Sequence, residues 1–185
     1  MQQVGVEHKI IDIEVDENIN SSNSPQENVR ALSVLKCQEG VRKVIIEDMR
    51  SFPVLAADTI VVLGDKIFGK PESESDAIAM LLKLSDRTHI VITAVTVGII
   101  NKEQAKFHTI SVSSNVEFAK LTENDCKEYC KTNEPFGKAG SYGIQGYGSA
   151  FIKKINGSYS NIVGLPIYEV VELLKELEIS YWNKK

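Results

Sequence analysis

The chain has little of what marks several common classes of protein. None of the apolar runs in its 185 residues reaches the roughly 20 residues that a membrane-spanning helix requires. Met1-Gln2-Gln3-Val4-Gly5 lacks the basic and apolar regions of a secretory leader. There are three cysteines, an odd number, and Cys126 and Cys130 stand four apart with no histidine nearby. That pattern excludes a disulfide framework, argues against a zinc site, and predicts reduced thiols in a cytoplasmic protein. Basic residues are not in excess, 21 Lys and Arg against 25 Asp and Glu, so no nucleic-acid polymer is expected as a partner. A small phosphorylated ligand needs only a few well-placed cations and stays open. The Walker spacing Gly-x-x-x-x-Gly-Lys-Ser/Thr, internal repeats and Pro-rich linkers are all missing.

What is present is enough apolar residue, 43% of the chain, for one α/β domain or two small lobes sharing a cleft. Alternation over residues 8–15 predicts a half-buried strand, and residues 18–23 read as a polar loop. Ser24 and Pro25 form a helix start, with the helix running through Val29, Leu32 and Leu35 towards Val44. Residues 53–63 predict a buried strand, turned by Gly64-Asp65-Lys66 into a short strand ending at Gly69. A helix from near Ser75 carries Ile78, Leu81 and Leu82 on its apolar face. Residues 88–100 and 106–118 suit a long β-hairpin. Thr122 caps a further helix to Tyr129, with Asp125 closing a capping box. Glycine-rich residues 137–148 lead to a strand over 151–155. The last helix starts at Pro166 and buries Val170, Val171, Leu174 and Leu177. The mixture predicts an α/β fold with a mixed sheet and long antiparallel strands.

Five places stand out chemically. Asp58 lies between Ala56-Ala57 and Thr59-Ile60-Val61-Val62, where a buried strand wants only apolar side chains. Such a carboxylate needs a metal, a cation or a hydrogen-bond network; the other reading is an acid pairing at a strand end. Gly69-Lys70-Pro71 presents a mobile positive charge suited to phosphate, or is an ordinary surface turn. In Gly140-Ser141-Tyr142-Gly143-Ile144-Gln145-Gly146 the glycines permit close approach to a planar ligand. Gln145 offers a donor and an acceptor to a pyrimidine edge, and a mobile loop is the alternative. Asp16-Glu17 supplies hard oxygen ligands for a divalent metal, or is a solvated turn. His89 reads as structural, bonding a loop carbonyl. Arg30 and Lys36, six positions apart, do not share a helical face, so at most one meets a ligand.

The order of these pieces resembles one family. Ala57-Asp58-Thr59, Gly69-Lys70-Pro71, Asp76-Ala77 and Leu84-Ser85-Asp86-Arg87-Thr88-His89 follow its pattern. So do residues 138–146, beginning Lys138-Ala139-Gly140, and Gly157-Ser158-Tyr159-Ser160-Asn161-Ile162-Val163-Gly164-Leu165-Pro166. This is similar to the Maf nucleotide pyrophosphatases over nearly the whole chain. The resemblance implies a single domain over residues 1–185 of the Maf/ITPase-like kind. Its elongated mixed β-sheet would be flanked by helices, with two lobes and a central cleft, usually as a homodimer. It implies hydrolysis between the α- and β-phosphates of a nucleoside triphosphate with magnesium or manganese. Asp58 matches the proposed proton acceptor and Glu17 a catalytic acid, both also metal ligands. Lys36 and Lys70 match phosphate-side lysines. Thr59 and Gln145 match positions linked to base selection, and Lys138 and Gly140 fall within the same substrate-binding motif. The Tyr-Gly-Ile-Gln-Gly form resembles the branch acting on dTTP and UTP.

One departure is expected to matter. Family members open with an apolar strand leading into Ser-x-Ser-Pro-Arg-Arg, whereas here Gln3-Val4-Gly5-Val6 already resembles the stretch after it. Ser22-Asn23-Ser24-Pro25-Gln26 imitates that motif but matches the next helix start. A catalytically impaired relative that binds nucleotide or a protein is therefore one alternative; a 7-methyl-GTP pyrophosphatase, which keeps the chemistry and changes the base, is another.

Overall fold

The computed structural model describes residues 1–17, 20, 22–47, 52–101 and 104–182. Five α-helices and five β-strands follow in chain order among the described residues. They are α1 (Pro25–Ile46), β1 (Val54–Leu63), β2 (Lys66–Phe68), α2 (Glu74–Leu84), β3 (Thr88–Asn101), β4 (Gln104–Phe118), α3 (Glu123–Cys130), β5 (Ile152–Asn156), α4 (Tyr159–Val163) and α5 (Ile167–Glu176). The strands form one five-stranded sheet in the order β2-β1-β3-β4-β5. β1 pairs antiparallel with β2, Val61 opposite Phe68, and β4 antiparallel with β5, Val116 opposite Ile155. β3 and β4, consecutive in the chain, are neighbours in this sheet. The chain divides into two compact units, Met1–Asp58 with Thr93–Val112 and Leu165–Lys185, and Thr59–Ile92 with Ser113–Gly164. The boundary falls inside β1, β3 and β4. No helix among the described residues is long and apolar enough to cross a membrane.

The first unit is organised by α1. Its start is locally encoded: Ser24 Oγ accepts the Glu27 N–H at 3.3 Å while the Glu27 carboxylate accepts the Ser24 N–H at 2.7 Å. Pro25 takes the first helical position, where its missing N–H costs nothing. Val29, Ser33, Cys37, Gly40 and Val44 are buried at spacings of three and four, the helical period. Gly40 lets this face settle on β1, since a Cβ there would stand 2.9 Å from Val54 Cγ1. Cys37, Val41, Val44 and Val54 form the core beneath it, and a second cluster joins Val95 to Val170 and Leu174 of α5.

In the second unit, Ser73 caps α2 and Thr122 with Asp125 closes the expected box on α3. Their apolar faces enclose Phe68, Leu81, Leu84, Phe118, Cys126, Tyr129 and Tyr142 around Val61, Val91 and Val116. All three cysteines are buried free thiols, as their odd count suggests.

Several expectations need correcting. Residues 8–15 form no strand. Ile11, Ile13 and Val15 alternate as half-buried with exposed neighbours, and Ile11 packs on the α1 core. The alternation therefore encodes an extended chain with one apolar side. A ladder also needs a free strand edge to pair with, which periodicity does not report. On α2, Ala77 and Leu84 are buried with Leu81, while Leu82 is exposed. Pro166 is the N-cap of α5 rather than its first residue, Leu173 joins the buried face, and Leu177 is half-buried as the C-cap. α4 was not anticipated, because five residues are too few to show a period. Ser158 starts it by accepting the Asn161 N–H at 3.2 Å, and Gly164 ends it at φ 111°. The loop expected over 18–23 and the turn over 101–105 fall partly outside the described residues.

Candidate active site

Helical spacing places Lys36 one turn beyond Ser33 on the sheet-facing side of α1. Ser33 Oγ lies 3.3 Å from the Ala56 carbonyl of β1, to which it donates, and 2.8 Å from Thr96 Oγ1 of β3. Thr96 Oγ1 is in turn 3.0 Å from Thr109 Oγ1 of β4. Four elements of the first unit are thus tied by buried or half-buried polar atoms, and Lys36 is fixed to that tie. Asp58 stands two residues beyond Ala56 on β1, so both side chains share a face. Lys36 Nζ donates to Asp58 Oδ1 at 2.5 Å and is 2.6 Å from Glu17 Oε1. Side-chain exposure is 10% for Asp58, 18% for Lys36 and 39% for Glu17. Burial alone would make Lys36 easier to deprotonate, but the two carboxylates outweigh it and hold its pKa above the ordinary 10.5. A cation, Lys36, accompanies the nearly buried Asp58. Of Arg30 and Lys36, Lys36 joins the acids, while Arg30 donates to the Thr109 carbonyl at 3.2 Å.

One ammonium between two carboxylates leaves the trio with a formal charge of −1. Among the described residues no group of three or more His, Cys, Asp or Glu gathers as a metal cage. Asp58 and Glu17 still suit a hard cation, because magnesium is commonly held by one or two carboxylates together with substrate phosphates.

Thr59, Lys70, Lys138, Gly140 and Gln145 belong to the second unit. The Gly140 N–H donates to the Gly69 carbonyl at 3.0 Å, so the turn carrying Lys70 is bonded to the late glycine-rich motif. Glycine is required at 140: φ is 69°, and a Cβ would press on Val61 at 3.0 Å. Lys70 and Gln145 are exposed. Thr59 is half-buried, and a Cβ on Gly164 would sit 3.4 Å from its Oγ1. Lys138 is exposed but donates to the Glu134 carbonyl at 2.8 Å, so its ammonium is engaged in the loop's own fold.

Sequence reasoning missed Glu134. Its carboxylate accepts from the Tyr147 N–H at 2.7 Å, the Gly148 N–H at 2.9 Å and the Tyr129 hydroxyl at 2.8 Å. Partial burial raises the carboxyl pKa, but these donors and Lys138 outweigh it and hold Glu134 below the ordinary 4.5. Glycines of this motif leave room for that carboxylate. A Cβ on Gly146 would lie 2.0 Å from Glu134 Oε2, and one on Gly143 would meet Lys138 Cε at 3.0 Å and Glu134 Oε1 at 3.4 Å. The available signal was the run of bare backbone N–H groups, which require acceptors from somewhere. His89 is also corrected. Its Nε2 lies 2.7 Å from the Tyr142 hydroxyl rather than on a loop carbonyl. At 1% exposure and edge-on to Phe118, it is pushed by burial down to about 4, hence neutral near pH 7.

The family described as Maf-like protein matches residues 1–177. The dTTP/UTP pyrophosphatase of Saccharophagus degradans is 38% identical over 183 residues, 99% of this chain and 85% of that protein. The dTTP/UTP pyrophosphatase of Clostridioides difficile is 42% identical over 176 residues, covering 95% of this chain and 87% of the relative. A nucleoside triphosphate pyrophosphatase of Xylella fastidiosa is 39% identical over 180 residues, 97% and 93% of the two chains.

Proposed function

The chain belongs to the Maf-like family, and on that footing we propose that it hydrolyses dTTP and UTP to the monophosphate and pyrophosphate. The observation that carries the site assignment is the ammonium of Lys36 held between Asp58 and Glu17. A water oxygen attacks the α-phosphorus, the bond from that phosphorus to the bridging oxygen breaks, and pyrophosphate leaves. Asp58 takes the proton released by the water. Lys36 stays charged in this setting, holds both carboxylates in place and offsets phosphate charge. Lys70, displayed on its bonded turn, neutralises charge growing on the leaving group, and Gln145 pairs with the carbonyl–imide edge of thymine or uracil. Thr59, Lys138 and Gly140 complete the substrate side, Lys138 and Gly140 by shaping the loop. Asp58 and Glu17 would hold magnesium or manganese, which would lower the pKa of the attacking water and shield the phosphates. A cytoplasmic homodimer is part of the same proposal, the location being supported by the buried free thiols.

The test is pyrophosphate release from dTTP, UTP, 7-methyl-GTP and ATP with manganese, for the wild type and Asp58→Ala. Pyrimidine-selective release that falls by about 10²–10⁴ in the variant is expected for loss of a general base. Release from 7-methyl-GTP alone would reassign the base, and release from none would leave a binding protein.

A further inference from the structure

The Gln145 loop is held at both ends by one pair of side chains. Tyr129 is buried on α3, edge-on to Phe151 with ring centroids 4.9 Å apart, and donates its hydroxyl proton to Glu134. The Gly143 N–H donates to that same hydroxyl oxygen at 3.3 Å. On the far side of Gln145, the Tyr147 and Gly148 N–H groups reach Glu134 Oε2 and Oε1. The backbone before Gln145 therefore hangs from the phenol and the backbone after it from the carboxylate. Phenol and carboxylate are bonded to each other. Close approach is built in: a Cβ on Gly148 would stand 2.8 Å from the Tyr129 hydroxyl, as one on Gly146 would collide with Glu134. The side chain of Gln145 is exposed at the middle of this span.

We infer that Glu134, acting with Tyr129, is a positioning residue for base selection, because it sets where the Gln145 amide stands. This rests on the reading of Gln145 as the group that pairs with the pyrimidine. Recognition by a side-chain amide tolerates displacements of only about 0.5 Å before donor and acceptor miss their partners. An isolated loop of glycines does not offer that precision, since glycine backbones sample the most conformations. Charge-assisted bonds from one fixed acceptor restrict the loop without using the amide itself. The Glu134 carboxylate is taken up by Tyr129, Tyr147 and Gly148, so its role is to position rather than to pair with the base. Its effect should appear as lost discrimination between bases rather than as lost chemistry.

The discriminating pair is dTTP and dCTP, which differ at the base edge where a carbonyl and N–H in one face an amine and ring nitrogen in the other. We would measure kcat and KM for both on the wild type, Gln145→Ala, Glu134→Gln, Tyr129→Phe and the double variant Glu134→Gln/Gln145→Ala. Gln145→Ala is expected to lower the dTTP/dCTP ratio of kcat/KM roughly tenfold, the worth of one neutral hydrogen bond. Glu134→Gln and Tyr129→Phe should each move the ratio in the same direction, through KM for dTTP, with kcat largely kept. The double variant should match Gln145→Ala in that ratio, because the clamp acts through an amide already removed. Tyr129→Phe serves if Glu134→Gln does not fold. If Gln145→Ala lowers the ratio while the clamp variants slow both nucleotides equally, the inference is wrong and Glu134 is only scaffolding. If Gln145→Ala leaves the ratio unchanged, the base-pairing reading itself falls and the inference with it.

Discussion

In the first unit a cation, Lys36, is held by two carboxylates; in the second a carboxylate, Glu134, is held by two backbone N–H groups and a phenol. Both are partly buried hubs at short distances, yet they are built for different ends. Around Lys36 the partners are side-chain carboxylates, two for one ammonium. Such a cluster suits a further cation and shifting protons. Around Glu134 the donors are dipoles fixed by the fold, so the charge is stabilised without any surplus and the loop is pinned. A partly buried charge thus does not by itself mark chemistry; the kind of partner does. The two hubs also answer to pH oppositely. Lys36 has its folded pKa raised, so its contribution to stability is complete below 10.5 and is lost as pH climbs through the higher folded value. Glu134 has its folded pKa lowered, so its contribution is complete above 4.5 and is lost as pH falls through the lower folded value.

The sharpest way to break this comparison is Lys36→Met. It leaves Asp58 and Glu17 facing each other without their ammonium, and kcat should fall by about 10²–10³, the scale of one lost electrostatic contact to the transition state. A variant with kcat within threefold of the wild type would put the Lys36 cluster in the scaffolding class with Glu134. The next effect concerns a third buried group, His89, which carries no partner charge. The unfolded chain takes up a proton near 6.5 and the folded one only near 4. Stability should therefore be complete above pH 6.5 and decline by about 3 kcal/mol down to pH 4. Urea midpoints for the wild type and His89→Phe over that range would show it, and equal slopes in the two proteins would refute it. The smallest effect expected is that of Gly146→Ala. Its methyl group must displace the Glu134 carboxylate, at roughly 1–3 kcal/mol of thermal stability and with partial loss of base discrimination. Hydrolysis of dTTP at saturating nucleotide should persist, and its disappearance would mean the clamp reaches the chemistry.

Local order was largely legible in the sequence. Ser24-Pro25 with Glu27, and Thr122 with Asp125, are helix starts whose donors and acceptors lie within three residues. The apolar spacing identified most of the buried face of α5, but on α1 it caught Val29, Leu32 and Val44 while including Leu35, which is exposed. Asp58 stood out because a strand of otherwise apolar residues makes an acid costly. Where reading failed, the missing information was long-range. Residues 8–15 had the alternation of a strand but not the neighbour that would pair with it. His89 was recognised as structural, yet its partner Tyr142 lies fifty-three residues on. In the Gly140–Gly146 motif the glycines announce close approach without naming Glu134 as a group that approaches.

The sequence by itself determined the family pattern, the caps, the turn bearing Lys70 and the presence of an acid in β1. Each depends on neighbours along the chain, whose geometry the covalent backbone nearly dictates. Only the tertiary structure decided that Lys36 meets Asp58 and Glu17, and that Glu134 takes the N–H groups of Tyr147 and Gly148. A charge finds its partner through the packing of α1 on the sheet and of the glycine-rich loop beside α3. That packing follows from apolar burial summed over many residues, which no single spacing in the chain records.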